Sequence, residues 1–308
     1  MASTSASTVP SSSLDLSMTG KDFALYAATV LAWGFSWYAI KLQSAVSPEV
    51  SLFWRFVIAT TCMFVWAGIG RHPLRFPVKT HLKFAALGVT LFSTNFLLFY
   101  YGAKTIPSGL LSVIFSLASV FNLMIGFLIF GQKLSPRIMA GGLAGFTGVA
   151  LMFWPQISST GFDSSALFGL ALCVGGTLCF CSGNMVSARL QAQKISVVSA
   201  TSWGMVYGTL ALGVQVFLKD EGFQIAWTYE YVGSLIYLAV IASVVAFGSY
   251  LTLLGRIGSA RAGYATVMFP VIALGVSTFL EGYIWTIGAI AGLLCVLAGN
   301  ILVLTRKS

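Results

Sequence analysis

The sequence predicts an all-α integral membrane protein with ten transmembrane helices arranged as two inverted five-helix repeats. Of its 308 residues, 57% are hydrophobic and only 8% are charged, whereas soluble domains carry roughly 25% charged residues. Apolar stretches about 20 residues long, the length that crosses a bilayer core, recur along the chain. In addition, residues 30–43 and 180–191 share one pattern: an apolar run, a small polar cluster, then a basic residue followed by Leu-Gln.

Apolar spans follow one another over most of the chain. Backbone polar groups cannot stay unpaired in lipid, so only helices and closed barrels cross a bilayer. The spans are about twice as long as a barrel strand and do not alternate polar and apolar residues, so we expect helices. They cover approximately residues 22–41, 49–70, 81–103, 107–130, 136–153, 166–187, 198–218, 229–252, 260–280 and 285–304.

The N-terminal residues differ in composition from these spans. Residues 1–20 are rich in Ser and Thr and have no apolar centre, which predicts a disordered tail and not a signal peptide. We expect the first repeat at residues 21–153 and the second at residues 154–305. The five cysteines lie inside apolar spans at spacings that match no zinc site, and we expect no cofactor and no bound metal.

Lysine and arginine are distributed unevenly between the two ends of the predicted helices. With the N-terminus in the cytoplasm, thirteen basic residues fall in inside segments, and only Lys41, Lys104 and Lys219 fall in outside segments. Cytoplasmic loops carry an excess of Lys and Arg, so we expect both termini in the cytoplasm. The net charge of +9 is then an orientation signal, and it gives no reason to expect a nucleic-acid partner.

Two similarities within the chain define the predicted repeat. KLQ at 41–43 ends the first span and RLQ at 189–191 ends the sixth, with Ser36 corresponding to Asn184. FLIFGQKLSP at 127–136 is similar to STFLEGYIWT at 277–286, which aligns Gln132 with Glu281. Because each half has five spans, the second half enters the membrane from the opposite face. Transporters often have such repeats, with the substrate site near the membrane midplane between the halves.

These motifs, in this order, resemble the drug/metabolite transporter superfamily. The resemblance rests on AWGFSWYAIKL in the first span, the Arg55-Phe56 pair, and the turns LIFGQKLSP and FLEG. Within the superfamily, the chain is similar to the EamA-type ten-helix transporters of bacterial inner membranes and, among these, to the YddG-type amino-acid exporters. The resemblance implies a multi-pass protein of the cell inner membrane that exports amino acids, aromatic ones included.

Polar and aromatic side chains recur on one face of several spans at helical spacing. At mid-depth they would line a path between the halves, where rings stack on a solute and neutral polar groups bind its carboxylate and ammonium. The alternative is that hydroxyls and small residues pack the helices together. The candidate cavity residues are Trp33, Trp37, Tyr38, Asn95, Phe99, Ser112, Ser116, Asn184, Ser243, Tyr250, Tyr264 and Pro270.

Three charged residues near span ends are candidates for a gate or for energy coupling. Ionisable groups in membrane spans often mark proton relays, and Glu281, near the outer end of the ninth span, is the candidate acid. Lys41 and Arg189 attract a carboxylate at the two mouths or simply snorkel from helix ends. We expect facilitated diffusion by alternating access; the alternative is proton-coupled export of other small metabolites or drugs.

Other functional classes fit the sequence less well. An intramembrane enzyme needs clustered acids, histidines or metal ligands, but no Asp or Glu lies at a span centre, and His72 and His81 lie in or beside the basic loop 71–83. A cation-drug exporter needs a carboxylate inside the first helix, and the sequence has only Asp22, at the very start of that span. A nucleotide-sugar carrier needs basic residues in its cavity, for which only Arg55 qualifies. Glycines in the fifth and tenth spans predict packing faces, within a monomer or between subunits of a homodimer.

Overall fold

A computed structural model describes residues 19–130, 136–158, 164–250, 252–253 and 265–304. These residues form helices and no strands. The predicted disordered tail lies outside them, apart from its last two residues. The helices are α1 (Gly20–Lys41), α2 (Pro48–Ile69), α3 (Val78–Gly102), α4 (Ser108–Ser116 and Ala118–Phe130), α5 (Pro136–Ser158), α6 (Ser164–Ala192), α7 (Val197–Leu218), α8 (Tyr229–Tyr250), α9 (Ala265–Leu280) and α10 (Ile287–Leu304).

The lengths and composition of the helices fit a membrane. Helices α1, α2, α3, α6, α7 and α8 are each long and apolar enough to cross a bilayer. Helices α4, α5, α9 and α10 contain shorter apolar stretches. Because large apolar side chains cover much of the outer surface and backbone groups are satisfied within helices, the prediction of an all-α, multi-pass membrane protein is confirmed.

Helix packing follows a twofold pattern. In the repeat, helices α1 to α5 correspond in order to α6 to α10. Helix α1 packs on α9, and its counterpart α6 packs on α4. Helix α3 packs on α7 and α6, and its counterpart α8 packs on α2 and α1. The pairs α2–α7, α4–α9 and α5–α10 each join a helix to its own counterpart in the other half. Exchanging the two halves therefore leaves the set of main helix pairs unchanged, as a repeat of five helices requires.

Backbone irregularities also occur at matching places in the two halves. Helix α3 contains a π-helical segment at Thr90–Thr94, and its counterpart α8 contains one at Tyr237–Val245. Such segments are often found at functional sites. Asn95 follows the first segment directly, and Ser243 lies inside the second, so both irregular segments bring a polar side chain to the interface between the halves.

The glycine-rich helices α5 and α10 pack against each other. A Cβ atom added at Gly148 would lie 2.4 Å from the Gly292 carbonyl oxygen, and one added at Gly299 would lie 2.5 Å from the Gly141 carbonyl oxygen. Any side chain at these positions would push the helices apart. The glycine stripes are thus buried within one chain.

The bundle has two ends, which are named here by one residue each. The Lys41 end holds the last residues of α1, α3, α7 and α9 and the first residues of α2, α4 and α8. The His72 end holds the last residues of α2 and α6 and the first residues of α3 and α7. The distribution of Lys and Arg predicts that the Lys41 end faces outward.

Candidate substrate site

A small cavity lies at the centre of the bundle, between the two halves. Its volume is about 40 Å³, and since one water molecule needs roughly 10–15 Å³, it has room for only a few waters. A larger solute enters only if the surrounding rings move. Side chains from α1, α2, α3, α4, α6, α8 and α9 form the wall: Trp33, Ser36, Trp37, Ile40, Arg55, Asn95, Phe96, Phe99, Phe115, Phe180, Phe247 and Phe269.

Two tryptophans of α1 organise the aromatic part of this wall. Trp37 packs against Phe99 of α3, with ring centroids 5.2 Å apart, while Trp33 packs against Phe247 of α8 at 5.2 Å. Both contacts are edge-to-face, a favoured geometry for aromatic pairs. Trp33 and Trp37 are one helical turn apart on α1. Trp37 therefore lines the cavity on the side toward the Lys41 end, and Trp33 lines it on the side toward the His72 end.

Arg55 is a buried cation in the same wall, with only 2% of its surface exposed. Its Nε donates to Ser243 Oγ at 3.1 Å and its Nη1 to the Tyr100 hydroxyl at 3.4 Å. The guanidinium also lies 4.4 Å from the centre of the Phe96 ring. Among the residues that the structure describes, no carboxylate pairs with it. Arginine keeps its charge in proteins, and an unpaired buried charge is costly, so this wall favours an anionic group.

Two further polar atoms of the wall are buried without a hydrogen-bond partner. They are the Trp37 Nε1–H donor and the Asn95 Oδ1 acceptor. Asn95 uses its amide nitrogen to donate to the Leu91 carbonyl oxygen at 3.2 Å, which leaves the oxygen as the free group. An unsatisfied buried polar atom costs about 1–3 kcal/mol. The cavity thus offers a cation, a donor and an acceptor to a ligand that brings the complementary groups.

Larger cavities lie on either side of this centre. The one at the Lys41 end has a volume of about 240 Å³, and Ile40 lines both it and the central cavity. The one toward the His72 end has a volume of about 230 Å³, and Phe247 lines both it and the central cavity. The central cavity therefore borders both larger cavities, with Ile40 between it and one and Phe247 between it and the other.

A buried carboxylate ties three helices together at the Lys41 end. Glu281, just after α9, lies 3.1 Å from Lys41 Nζ at the end of α1 and accepts hydrogen bonds from the backbone N–H and the hydroxyl of Ser108 at the start of α4. Ser277 also donates to it. Burial alone would raise the pKa of the Glu281 carboxyl, but these hydrogen bonds and the Lys41 ammonium outweigh it and lower the pKa. Glu281 is therefore ionised near neutral pH.

A second carboxylate–lysine pair joins another three helices at the same end. Glu49 of α2 lies 2.5 Å from Lys219 Nζ, just after α7, and accepts a hydrogen bond from the Tyr101 hydroxyl of α3 at 2.6 Å. The hydrogen bonds of the Lys219 ammonium to Glu49 and Tyr101 raise its pKa. One pair thus holds α1, α4 and α9, and the other holds α2, α3 and α7.

The His72 end is joined by different chemistry. Ser196 and His72 Nδ1 are 3.1 Å apart, and so are the Tyr207 hydroxyl and His81 Nδ1. Trp203 Nε1 donates to the Leu74 carbonyl oxygen at 3.0 Å. Lys83 Nζ also donates to Gln193 Oε1 at 2.8 Å, and the Asp22 side chain takes part in the cap at the start of α1.

Four of the predicted cavity residues lie directly in the wall: Trp33, Trp37, Asn95 and Phe99. Ser243 supports the wall by accepting the hydrogen bond from Arg55, and the Tyr250 ring lies 5.2 Å from that of Trp33. The structure thus brings six of the predicted residues to the centre of the bundle, four as lining and two behind it.

The other predicted residues lie elsewhere. Ser112 and Ser116 are buried, and their hydroxyls donate to carbonyl oxygens of Gly109 and Val113 within α4. Tyr38 and Asn184 are half-buried and outside the lining of the central cavity. Pro270 is buried next to the lining residue Phe269, Lys41 pairs with Glu281, Arg189 lies in the last turn of α6, and Tyr264 lies outside the described residues.

Sequence reasoning did not select Arg55, or the wall phenylalanines other than Phe99, as cavity residues. The signal for Arg55 was present, because an arginine inside an apolar span is by itself a candidate for function. For Phe96, Phe115, Phe180, Phe247 and Phe269 the sequence holds no comparable signal. Among the residues that the structure describes, no group of three or more His, Cys, Asp or Glu is placed to hold a metal.

The wall is built from both halves of the chain, and both halves match one family model. That model describes the EamA-like transporter family, and it matches residues 23–154 and again residues 167–305. The chain belongs to the EamA-like transporter family. The family match confirms the resemblance to the drug/metabolite transporters that was inferred from the sequence. Membership of this family indicates a transporter rather than an enzyme.

Individual relatives agree with this membership. The chain is 25% identical to an uncharacterized transporter, YoaV, of Bacillus subtilis, over 80% of this chain and 84% of the relative. It is 23% identical to a protein of Escherichia coli K12 named "Probable amino-acid metabolite efflux pump", over 85% of this chain and 88% of the relative. A solved crystal structure covers 91% of the chain and 95% of its own length with a TM-score of 0.66 at 14% identity, which supports the fold.

Proposed function

We propose that this transporter exports amino acids, aromatic ones included, and binds them as zwitterions in the central cavity. The observation that carries the proposal is Arg55, a buried cation without a carboxylate partner among the described residues. It lies in a wall made mainly of aromatic rings. Arginine presents a planar fork of donors that matches a carboxylate, so the carboxylate of an amino acid is the group that satisfies it.

The remaining polar atoms of the wall suit the rest of the amino-acid backbone. In this proposal, the Trp37 Nε1–H donates to the substrate carboxylate together with Arg55, and Asn95 Oδ1 accepts a hydrogen bond from the substrate ammonium. Both atoms are buried without a partner in the closed cavity. A ligand that pairs all three groups removes their desolvation cost on binding.

The aromatic rings then form the pocket for the substrate side chain. Rings of Trp33, Trp37, Phe99 and Phe115 stack on an aromatic side chain or contact an aliphatic one. Such contacts discriminate weakly, because one methylene is worth only about 1–3 kcal/mol. We therefore propose broad amino-acid specificity. The substrate class is supported by the name of the Escherichia coli relative, a probable amino-acid metabolite efflux pump.

The proposed mechanism is facilitated diffusion by alternating access. A proton relay needs an acid that takes up a proton near neutral pH, and the pKa of the Glu281 carboxyl is lowered, not raised. Proton-coupled export of other metabolites or drugs is the alternative. We propose a location in the bacterial inner membrane with both termini in the cytoplasm, as a monomer or a homodimer.

Flux through purified protein in liposomes tests this function. Vesicles loaded with labelled phenylalanine are expected to release it faster than protein-free vesicles, without any pH gradient. Unlabelled threonine and methionine are expected to slow the release by competition, whereas a quaternary ammonium and a nucleotide sugar are not. Absence of phenylalanine flux, or inhibition by the quaternary ammonium alone, would refute the proposal. If release required a pH gradient, the proposed substrate class would stand, but transport would be proton-coupled and not facilitated diffusion.

A further inference from the structure

The cavity at the Lys41 end has the size and position of a second binding site. Its volume is about 240 Å³, below the roughly 300–1,000 Å³ typical of pockets for drug-sized ligands, which suits a single small solute. It lies between the end of α1, the start of α2 and the end of α3. Ile40 separates it from the central cavity, and Tyr100 lines it while its hydroxyl accepts the hydrogen bond from Arg55.

Lys104 supplies this cavity with a cation. Its Nζ lies 5.0 Å from the centre of the Tyr101 ring, and the part of the chain that the structure describes offers it no ion pair. The other lysine of the lining, Lys41, is already paired with Glu281. Lys104 is therefore the cation in this lining that is available to a carboxylate.

Gln43 supplies a buried acceptor in the same lining. It is only 1% exposed, and its Nε2 donates to the Tyr231 carbonyl oxygen at 3.0 Å and to Ser234 Oγ at 2.7 Å. These two bonds fix the orientation of the amide. The Gln43 Oε1 is left buried without a partner, and an ammonium group is the donor that satisfies it best.

The cavity at the Lys41 end thus repeats the chemistry of the central one. Lys104 corresponds in role to Arg55, Gln43 Oε1 to Asn95 Oδ1, and Tyr100 provides an aromatic surface. The cavity toward the His72 end differs, because the described residues of its lining include no lysine or arginine. Of the two larger cavities, the one at the Lys41 end is therefore the better candidate for binding a carboxylate.

We propose that the cavity at the Lys41 end holds a second, weaker amino-acid site, which binds the carboxylate at Lys104 and the ammonium at Gln43. This inference rests on the proposed function, since it takes the same substrate class. The site is weaker because Lys104 is exposed, and an exposed charge is screened by water and salt. A substrate that passes Ile40 binds there before it leaves the protein.

Equilibrium dialysis of labelled phenylalanine against the full chain in lipid nanodiscs tests this proposal. Wild-type protein is expected to bind two phenylalanines per chain with different affinities. Lys104→Gln is expected to weaken the second site about two- to fivefold, as removal of an exposed charge should, and to leave the first unchanged. Lys79→Gln, an exposed lysine at the other end, is the matched control and is expected to change neither site. Arg55→Gln is expected to weaken only the tighter site.

The outcomes separate this proposal from the proposed function. One site per chain, lost in Arg55→Gln and unaffected by Lys104→Gln, would refute the second site and leave amino-acid binding at the centre intact. Two sites whose affinities for phenylalanine are both unchanged in Lys104→Gln would also refute it. No binding of phenylalanine to any variant would refute both. Melting curves in nanodiscs establish that each variant is folded.

Discussion

The two ends of the bundle are closed by different interactions, although a repeat relates the halves. At the Lys41 end, the buried Glu49 and the largely buried Glu281 each pair with a lysine and join three helices. At the His72 end, the described contacts between helices include hydrogen bonds of histidine, tyrosine, serine and tryptophan and one between a lysine and a glutamine. The sequence shows the same difference, because Gln132 occupies the position that corresponds to Glu281. The repeat thus specifies which helices meet, while individual residues decide how strongly each end is held.

This difference bears on transport. Hydrogen bonds to a largely buried, charged carboxylate are stronger than hydrogen bonds between neutral groups. From the described contacts, we therefore expect the Lys41 end to open less often than the His72 end. If the Lys41 end faces outward, as the distribution of Lys and Arg predicts, the resting protein opens more readily to the cytoplasm, where an exporter collects its substrate.

Accessibility of single cysteines to an impermeant thiol reagent gives the largest expected effect, because labelling from outside is nearly all or none. In a cysteine-free background, Glu230→Cys at the start of α8 is expected to react in whole cells. Lys79→Cys at the His72 end is expected to react only after the membrane is opened. Both positions are exposed. The opposite labelling pattern would reverse the orientation and, with it, the assignment of the tighter end to the outside.

The carboxylates of the Lys41 end are expected to contribute measurably to stability. Glu49→Gln and Glu281→Gln should each lower the free energy of unfolding by about 1–3 kcal/mol, since each weakens the hydrogen bonds that the carboxylate accepts from neighbouring helices. The partly exposed lysines add little to this loss. Thermal melting of the protein in nanodiscs measures the change. Asp220→Asn is the matched control: it removes an exposed charge next to Lys219 and should change stability by less than about 0.5 kcal/mol.

A single change at the His72 end completes this comparison. His72→Ala removes the bond to Ser196, and the expected loss is only about 0.5–1.5 kcal/mol. If His72→Ala proved more destabilising than Glu49→Gln and Glu281→Gln, the two ends would not differ in the way inferred from their contacts.

The smallest expected effect is the influence of pH on transport through the charge of Glu281, which pairs with Lys41. The pKa of the Glu281 carboxyl is held below its usual value of 4.5. A carboxyl with a lowered pKa contributes stability that is present above its usual pKa and is lost as the pH falls through the lowered value. Phenylalanine flux, with equal pH on both sides, should therefore show the same profile in wild type and Glu281→Gln between about pH 6 and about pH 8. A pH dependence that disappears in Glu281→Gln would indicate that Glu281 takes up a proton during transport.

The sequence predicted the architecture well because bilayer physics acts on composition and length. It predicted Trp33, Trp37 and Asn95, which line the cavity, because polar and indole groups at mid-span are unusual, and it predicted Phe99 because this residue lies one helical turn from Asn95. It gave less guidance in α4, where the hydroxyls of Ser112 and Ser116 bond to their own helix. Helical phase alone does not distinguish such a hydroxyl from one that faces a cavity.

The other phenylalanines of the wall were beyond prediction for a physical reason. Lipid and a central aromatic cluster present the same apolar environment, so a phenylalanine fits either. Phe35 of α1 is exposed on the outer surface, whereas Phe115 and Phe269 are buried at the centre. Only the packing of several helices, far apart in sequence, separates these two environments.

Carboxylate recognition by Arg55 is the central claim, and one comparison of ligands tests it most directly. Affinities for phenylalanine and for phenylalaninamide, which lacks the carboxylate charge, are measured by equilibrium dialysis at about pH 6, where both amines are protonated. Wild-type protein is expected to prefer phenylalanine at its tighter site by at least about tenfold, the contribution of a charge-assisted hydrogen bond. In Arg55→Gln, with its fold verified by melting, the preference at that site is expected to shrink to less than about twofold. An undiminished preference in folded Arg55→Gln would contradict the claim, because another group would then hold the carboxylate.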